Sequence, residues 1–154
     1  GAKMMHLILM RGVPSSGKST LAQNILAEHM KTTGNSGVIL STDQQFMRNG
    51  VYCFELQRLG EAHSKNQQLA AEAMKQKVGL VIIDNTNLSE KERKPYIDFA
   101  KQFGYTYSVQ DVTTSWARNA EECAKRNTHN VPVQVIERML QKLERDLNGS
   151  YSTH

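Results

Sequence analysis

Short apolar runs alternate with longer amphipathic segments along this chain of 154 residues. Runs typical of buried strands occur at residues 6–11, 38–41, 80–83 and 105–112. The run Leu80-Val81-Ile82-Ile83 is apolar throughout, as expected for a parallel strand that is covered on both faces. Strands that alternate with helices predict an α/β fold, namely a three-layer domain with a parallel core sheet of about four strands.

The amphipathic segments predict helices, because their apolar residues recur every three or four positions. One helix follows residue 17, others cover residues 56–77 and 115–125, and the last contains Ile136, Met139, Leu140, Leu143 and Leu147. Ser89 and Glu92 form a capping box that starts a further helix ending near Phe103. We expect Tyr96, Phe99, Phe103 and Trp116 in the core, His63 on a helix face, and His129 without a visible partner.

Length and composition favour one folded domain over residues 1–154. Apolar residues make up 39% of the chain and charged residues 22%, which argues against disorder. No apolar run approaches the roughly 18–20 residues of a membrane helix, so we expect no membrane partner. We expect residues 1–3 to be a disordered cloning remnant, with the natural start near Met4, and residues 148–154 to fray because they lack apolar anchors.

The two cysteines and the charge add little on their own. Cys53 and Cys123 make neither a disulfide framework nor a zinc site, which favours two free thiols in a reducing cytoplasm. The net charge is +4, with 9 basic and 5 acidic residues in positions 1–77 against 10 of each in 78–154. This surplus is a weak indication of an anionic partner.

Residues 12–19, Gly-Val-Pro-Ser-Ser-Gly-Lys-Ser, fit the phosphate-binding pattern G-x-x-x-x-G-K-[ST] between a predicted strand and a predicted helix. The glycines let the backbone approach a phosphate, and the helix N-terminus adds a positive dipole. Lys18 supplies a cation for the β- and γ-phosphates, and the Ser19 hydroxyl is suited to Mg²⁺. The pattern therefore predicts that ATP or GTP binds to Gly12, Pro14, Ser15, Ser16, Gly17, Lys18, Ser19 and Thr20.

Polar residues follow two of the predicted strands, at the sheet edge where ligands bind in open α/β folds. Asp43 is placed either to accept a proton from an attacking hydroxyl or to cap the next segment. Asp84 closes a strand as a magnesium-binding acid does, with a turn residue as the alternative. Asn85 and Asn87 either contact a substrate or tie the loop together.

Arg126 lies in a basic segment between the last two predicted helices. A mobile arginine there can neutralise charge in a phosphoryl-transfer transition state. The alternative is a solvated helix end, where Lys125 and Arg126 complement the helix dipole. The spacing alone favours the helix end.

Four stretches together resemble the polynucleotide 5′-hydroxyl kinase family of P-loop kinases, which includes a phage end-healing kinase and kinase-like modules of larger eukaryotic proteins. They are residues 12–20, 40–43 and 82–88, and residues 124–127 followed by Val131-Pro132. The resemblance implies a P-loop kinase fold with a helical lid, ATP and Mg²⁺ as cofactors, and Asp43 as the base that deprotonates a 5′-hydroxyl. It also implies that Lys18 and Arg126 act on the donor phosphates and that Ser19 holds Mg²⁺.

The chain departs from the phage-type enzyme on the acceptor side. Where that enzyme has an arginine three residues after the base, this chain has Phe46, and its nearest arginine is Arg48. Its lid segment is also shorter. We therefore take Arg48, with Asn85 and Asn87, as the candidate acceptor-binding residues.

Three functions remain open from the sequence. The first is an ATP-dependent kinase for the 5′-hydroxyl of DNA or RNA, whose partner is a single-stranded or otherwise exposed end. The second is a kinase for a small metabolite or nucleoside. The third is an ATP-binding module of a larger multidomain protein with little turnover.

Overall fold

A computed structural model of the chain describes residues 4–149. Its strands are β1 (His6–Arg11), β2 (Gly37–Leu40), β3 (Met47–Arg48), β4 (Val51–Tyr52), β5 (Leu80–Ile83) and β6 (Thr106–Asp111). Its α-helices are α1 (Lys18–Thr33), α2 (Leu59–Lys75), α3 (Glu90–Phe103), α4 (Ala120–Arg126) and α5 (Val133–Asn148). Single 3-10 turns cover Thr42–Phe46 and Leu56–Arg58.

Four of these strands form one parallel sheet in the order β2-β5-β1-β6, which confirms the predicted α/β fold. The strand that leads into the phosphate-binding pattern, β1, lies between β5 and β6. Because all four strands run the same way, the polar residues that follow β1, β2 and β5 meet at one edge of the sheet.

Helices cover both faces of the sheet. On one face, Leu7, Leu9, Val81 and Ile83 pack with apolar residues of α2 and α3. On the other face, Met10, Leu80 and Ile82 pack against α1. A third cluster of Val13, Cys123 and Ile136 joins the phosphate-binding pattern to α4 and α5.

The chain between β2 and α2 differs from the prediction. The predicted helix over residues 56–77 begins only at Leu59, and Leu56 is 71% exposed. Before it lies the β3-β4 hairpin, which the hydropathy pattern does not indicate. The buried stripe of α2 includes a polar residue, Asn66, whose side-chain amide donates to the Tyr96 hydroxyl over 2.9 Å. Because Asn66 is polar, the buried face of α2 does not show up as an unbroken apolar repeat in the sequence.

The helix predicted over residues 115–125 is also shorter. It begins at Ala120, because Asn119 caps it by accepting a hydrogen bond from the Glu122 N–H. Trp116 precedes the helix, is half-buried, and packs against the cluster of Val13, Cys123 and Ile136.

Residues 1–3 and 150–154, which include the expected remnant and most of the expected frayed tail, lie outside the described residues. Asn148, where we expected the tail to begin, is instead the last residue of α5. Both cysteines are free thiols, and burial raises the pKa of Cys123. Within residues 4–149, no helix combines the length and hydropathy needed to cross a bilayer.

A buried carboxylate fastens α5 to the sheet and to α3. Asp146, whose side chain is 7% exposed, accepts hydrogen bonds from Arg11 Nη1 at 2.8 Å and from Arg93 Nη2 at 3.0 Å. Arg11 also donates through Nε to Asp111 Oδ1 at 2.6 Å. Burial acts to raise the pKa of Asp146, but the hydrogen bonds from Arg93 and Arg11 outweigh it and hold that pKa below its ordinary value.

Replacing this carboxylate is predicted to destabilise the fold in a pH-dependent way. Asp146→Asn leaves the buried guanidinium of Arg93 without its counter-charge and leaves Arg11 with Asp111 alone, which is expected to lower the free energy of unfolding at pH 7 by roughly 3–5 kcal/mol. Because the folded-state pKa is lowered, this stabilisation is present above the unfolded-state pKa and is lost as pH falls through the folded-state value. We expect urea denaturation to show that wild type and variant differ less in free energy of unfolding at acid pH than at pH 7.

Asp98→Asn on α3 is the matched control. Its exposed pair with Lys94 is expected to be worth less than about 1 kcal/mol at any pH. If Asp146→Asn lowered the free energy of unfolding as little as the control does, the hydrogen bonds of Asp146 would not stabilise the packing of α5.

Candidate functional site

The loop between β1 and α1 has the backbone of a phosphate-binding loop. Gly17 has a φ of 101°, and a Cβ there would lie 2.8 Å from Thr114 Cγ2. At Gly12 a Cβ would lie 2.9 Å from Ser16 Oγ. Both positions therefore require glycine, for conformation at one and for close approach at the other.

The segment that follows β6 forms hydrogen bonds to this loop. The Thr114 hydroxyl donates to the Ser16 carbonyl at 2.6 Å, and Trp116 Nε1–H donates to the Ser15 carbonyl at 3.0 Å. Sequence reasoning did not identify Thr114 or Trp116 as part of the site. An aromatic side chain that bonds through its ring N–H looks the same in a sequence as one that simply packs in the core.

Lys18, Ser19 and Asp84 meet at the first turn of α1. The Ser19 hydroxyl donates to Asp84 Oδ2 at 2.7 Å, and Lys18 Nζ lies 3.4 Å from Asp84 Oδ1. Asp84 is buried and follows β5 directly. The structure thus brings the predicted phosphate-binding cation and the two predicted magnesium ligands together.

These residues fit a magnesium-bound nucleotide. A carboxylate and a hydroxyl are oxygen ligands of the kind Mg²⁺ takes, and Mg²⁺ fills its remaining positions with phosphate oxygens and water. Within residues 4–149, no group of three or more acidic, His or Cys side chains forms a cage of its own for a metal. The buried Ser16 Oγ has no hydrogen-bond partner among residues 4–149, so it can donate a hydrogen bond to a phosphate oxygen. Pro14 and Thr20, at the loop and the helix start, are accessible.

The four residues after β5 tie three strands together. Asp84 bonds to Ser19 as described, and Asn85 Oδ1 accepts from the Thr42 N–H at 2.9 Å. The remaining bonds are Gly12 N–H to the Thr86 carbonyl at 3.1 Å and Asn87 Nδ2–H to the Met10 carbonyl at 2.7 Å.

The hydrogen bonds of the two asparagines favour the structural role that the sequence left open beside acceptor binding. The side-chain oxygen of Asn85 accepts a hydrogen bond from the backbone that follows β2. Asn87 is buried at 1% exposure, adopts a φ of 50°, and accepts from Arg93 Nη1 through its carbonyl. Both side chains therefore help to hold the loop in place, and acceptor binding by Asn85 or Asn87 stays a prediction.

Asp43 presents its carboxylate to solvent at the same edge. The cap of its 3-10 turn is Ser41, whose Oγ accepts from the Asp43 N–H at 3.2 Å. The alternative that Asp43 itself caps this segment is therefore wrong. Its side chain is 60% exposed, which leaves the carboxylate open to a large substrate.

Tyr52 and His129 flank the Asp43 carboxylate. The Tyr52 hydroxyl donates to Asp43 Oδ1 at 3.4 Å, and His129 Nδ1 lies 3.9 Å from Asp43 Oδ2. The rings of Tyr52 and His129 stack with centroids 3.7 Å apart and planes 9° apart. Burial, then the charge of Asp43, raise the pKa of Tyr52 to about 12, so its hydroxyl remains a donor. His129 therefore has partners that the sequence did not reveal, because they lie about eighty positions away.

Arg126 is not a simple solvated helix end. Its guanidinium carbon lies 3.8 Å from the centroid of the Trp116 ring, and its Nε–H donates to Glu122 at 3.1 Å. Since Trp116 bonds to the Ser15 carbonyl, this contact places Arg126 beside the phosphate-binding loop. The chain after it turns around Asn127, whose side-chain oxygen accepts from the N–H groups of His129 and Val131.

Arg48, the remaining acceptor candidate, lies on the β3-β4 hairpin. It is half-exposed, and its guanidinium lies 4.0 Å from Glu55 Oε1. A groove of about 460 Å³ near this hairpin is lined by other basic residues, Arg58 and Lys65, and by Phe46. Neither Arg48 nor Asp43 lines it.

The chain is similar to parts of two longer curated proteins. The chain is 43% identical over 139 residues to human NEDD4-binding protein 2, covering 90% of this chain and 8% of that protein. It is 24% identical over 148 residues to the 2′,3′-cyclic-nucleotide 3′-phosphodiesterase of Pongo abelii, covering 94% of this chain and 33% of that protein. The chain thus spans a third or less of these relatives.

Solved structures share the fold. A chain of the Pnkp1/Rnl/Hen1 RNA repair complex matches with a TM-score of 0.68 and 19% identity, over 97% of this chain and 47% of that one. The Mycobacterium tuberculosis APS kinase CysC, solved with AMPPNP and APS, matches with a TM-score of 0.54 and 17% identity, over 99% of this chain and 75% of that one.

A family model described as an AAA domain matches residues 7–145. The expected likeness to P-loop kinases is therefore confirmed for the fold, with kinases among the solved neighbours. The chain belongs to this AAA domain family of P-loop kinase-like domains.

Proposed function

We propose that this chain is a single P-loop kinase domain that transfers the γ-phosphate of ATP to the 5′-hydroxyl end of DNA or RNA. The observation that carries the proposal is the joining of Asp43 to the phosphate-binding loop. Asn85 holds the backbone of Thr42, next to Asp43, and Asp84, next to Asn85, holds Ser19. A proton acceptor and a phosphate-binding loop are thereby fixed at one edge of the sheet.

On the donor side, the backbone N–H groups at the start of α1 and the Lys18 ammonium bind the phosphates of ATP. Ser19 and Asp84 would hold Mg²⁺, which when bound would supply positive charge against the charge of the transferring group. The Lys18 ammonium pairs with Asp84 in this structure, so a bound phosphate would compete with Asp84 for that ammonium. Arg126, beside the loop on Trp116, adds a guanidinium to the donor phosphates.

On the acceptor side, Asp43 takes the proton of the attacking hydroxyl. The hydroxyl oxygen forms the new bond to the γ-phosphorus, the bond from that phosphorus to the bridging oxygen breaks, and ADP leaves with the electron pair. The proton then resides on the Asp43 carboxyl until solvent takes it, which its exposure permits.

The choice of a polynucleotide end over a small acceptor rests on the surroundings of Asp43. The carboxylate is exposed rather than enclosed in a cavity, which suits an acceptor that extends beyond the site. The match to a chain of an RNA repair complex is consistent with this choice. The match to an APS kinase solved with APS favours a small-molecule kinase as the second candidate.

Lys18→Ala is predicted to weaken nucleotide binding. Loss of a charge-assisted contact to phosphate is expected to lower the affinity for Mg-ATP by roughly 10- to 100-fold, measured by isothermal titration calorimetry. Lys31→Ala, at the far end of α1, is the control and is expected to bind as the wild type does. Equal affinity in the two variants would remove the phosphate-binding role of Lys18.

Asp43→Asn is predicted to slow transfer strongly while leaving nucleotide binding intact. Transfer of labelled γ-phosphate to a 5′-hydroxyl oligonucleotide is expected to fall by roughly 10²–10⁴-fold, because a positioned base is lost. Glu72→Gln, an exposed carboxylate near the end of α2, is the control for the change in charge.

The same assay separates the three candidate functions. Full transfer by Asp43→Asn would contradict the proposed base. Transfer to small hydroxyl compounds in preference to oligonucleotides at equal concentration would establish the second candidate. Nucleotide binding with no transfer to any acceptor would establish a binding module.

Arg126→Ala is predicted to lower kcat by roughly 100-fold or more, because a donor to the developing charge is removed. Steady-state kinetics with a 5′-hydroxyl oligonucleotide measure this, with Arg118→Ala in the exposed turn before α4 as the control. An unchanged kcat would leave Arg126 as a residue that only packs on Trp116.

A further inference from the structure

Two segments from different parts of the chain meet at the Asp43 carboxylate. One is the β3-β4 hairpin, whose Tyr52 hydroxyl donates to Asp43 Oδ1 at 3.4 Å. The other is the α4-α5 connection, residues 127–132, whose His129 Nδ1 lies 3.9 Å from Asp43 Oδ2. The two carboxylate oxygens therefore face two different elements of the fold.

The rings of Tyr52 and His129 also contact each other. Their centroids lie 3.7 Å apart and their planes are 9° apart, which is a stacked arrangement. Tyr52 is held within its own hairpin, because its ring meets the buried Phe46 ring in an edge contact at 6.3 Å and its backbone pairs with Met47. His129 therefore stacks on a ring whose position the hairpin already fixes.

The backbone of the α4-α5 connection places His129 on this ring. The side-chain oxygen of Asn127 accepts from the His129 N–H at 2.7 Å and from the Val131 N–H at 3.2 Å, which closes a tight turn. Within residues 4–149, the ring contact and the ion-pair contact between this connection and residues 42–54 both involve His129. The stack is thus the point at which the connection is attached to the acceptor side of the site.

The donor-side arginine immediately precedes the same connection. Arg126 is the last residue of α4, and its guanidinium packs on Trp116, which in turn donates to the Ser15 carbonyl. The three residues from Arg126 to His129 span at most about 11 Å. A short stretch of chain therefore joins the phosphate-binding loop to the proposed base, and a displacement of either end moves the other.

We propose that Tyr52 and His129 are positioning residues, whose stacked rings orient the Asp43 carboxylate and attach the α4-α5 connection to it. This rests on the proposed function and adds a link between its base and its donor-side arginine. An exposed carboxylate has several staggered orientations open to it, whereas groups beside both oxygens restrict that choice. A misplacement of about 1 Å at a reacting group can cost a factor on the order of 100 in rate.

Loss of the stack is predicted to slow transfer without weakening nucleotide binding. His129→Ala and Tyr52→Leu are each expected to lower kcat with a 5′-hydroxyl oligonucleotide by roughly 10- to 100-fold, because the base is no longer held in place. KM for ATP is expected to stay unchanged, since Trp116 keeps its bond to the phosphate-binding loop. Because both changes break one stack, the double variant is expected to be about as slow as the slower single variant.

His129→Phe distinguishes positioning by the ring from chemistry by the imidazole. It keeps a flat ring for Tyr52 and removes both ring nitrogens, so it is expected to retain most of the wild-type kcat. Thr128→Ala, at an exposed neighbour in the same connection, and Tyr107→Leu, which removes an exposed ring from β6, are the matched controls. Both are expected to behave as wild type, and circular dichroism checks that each variant is folded.

Nuclear magnetic resonance reports the stack without any turnover. The signals of the His129 ring protons are expected to move downfield in Tyr52→Leu, because the ring current of Tyr52 is lost. Hydrogen exchange of the His129 N–H is expected to rise by roughly 2- to 12-fold in the same variant, as for the loss of one aromatic pair. Tyr107→Leu is expected to leave both unchanged.

The outcomes separate this inference from the proposed function. Wild-type transfer with an unchanged kcat in His129→Ala and Tyr52→Leu would overturn the positioning role and leave the kinase standing. An equal loss of kcat in His129→Phe and His129→Ala would also overturn it, because the imidazole rather than the stack would then matter. The expected resonance and exchange changes without transfer by the wild type would support the attachment and overturn the kinase. Absence of these changes together with absence of transfer would overturn both.

Discussion

The geometry of the site depends on one short segment, residues 84–87, which leaves β5 and bonds to both neighbouring strands. Its first side chain holds the start of α1 and its second holds the backbone after β2. The main-chain carbonyl of its third residue and the side chain of its fourth hold the end of β1. Because these bonds join short side chains and backbone groups, the phosphate-binding loop and Asp43 cannot move far independently of each other.

Much of the fold could be predicted from sequence because its signals are local. A strand buried on both faces is apolar throughout, as β5 is, and the glycines of the phosphate-binding loop are dictated by close contacts at Gly12 and by the φ of Gly17. The capping box is equally local, and Ser89 accepts from the Glu92 N–H as predicted.

The remainder of the site depends on contacts between distant parts of the chain. Trp116 carries an indole N–H whose acceptor lies about a hundred positions away, and His129 stacks on Tyr52, about eighty positions away. Asn85 and Asn87 have the composition of substrate-binding residues, yet their neighbours in space make them supports of the loop. The hairpin that carries Tyr52 has strands of two residues each, too short for any periodic pattern.

The central claim is that this edge of the sheet joins a nucleotide donor to a polynucleotide acceptor. The most direct measurement is a single-turnover reaction of the wild-type protein with γ-labelled Mg-ATP and a 5′-hydroxyl oligonucleotide, followed by location of the label. The account predicts that the label appears on the 5′-terminal oxygen, where a phosphatase removes it. Bound ATP with no label on any oligonucleotide, single-stranded or duplex, would contradict it.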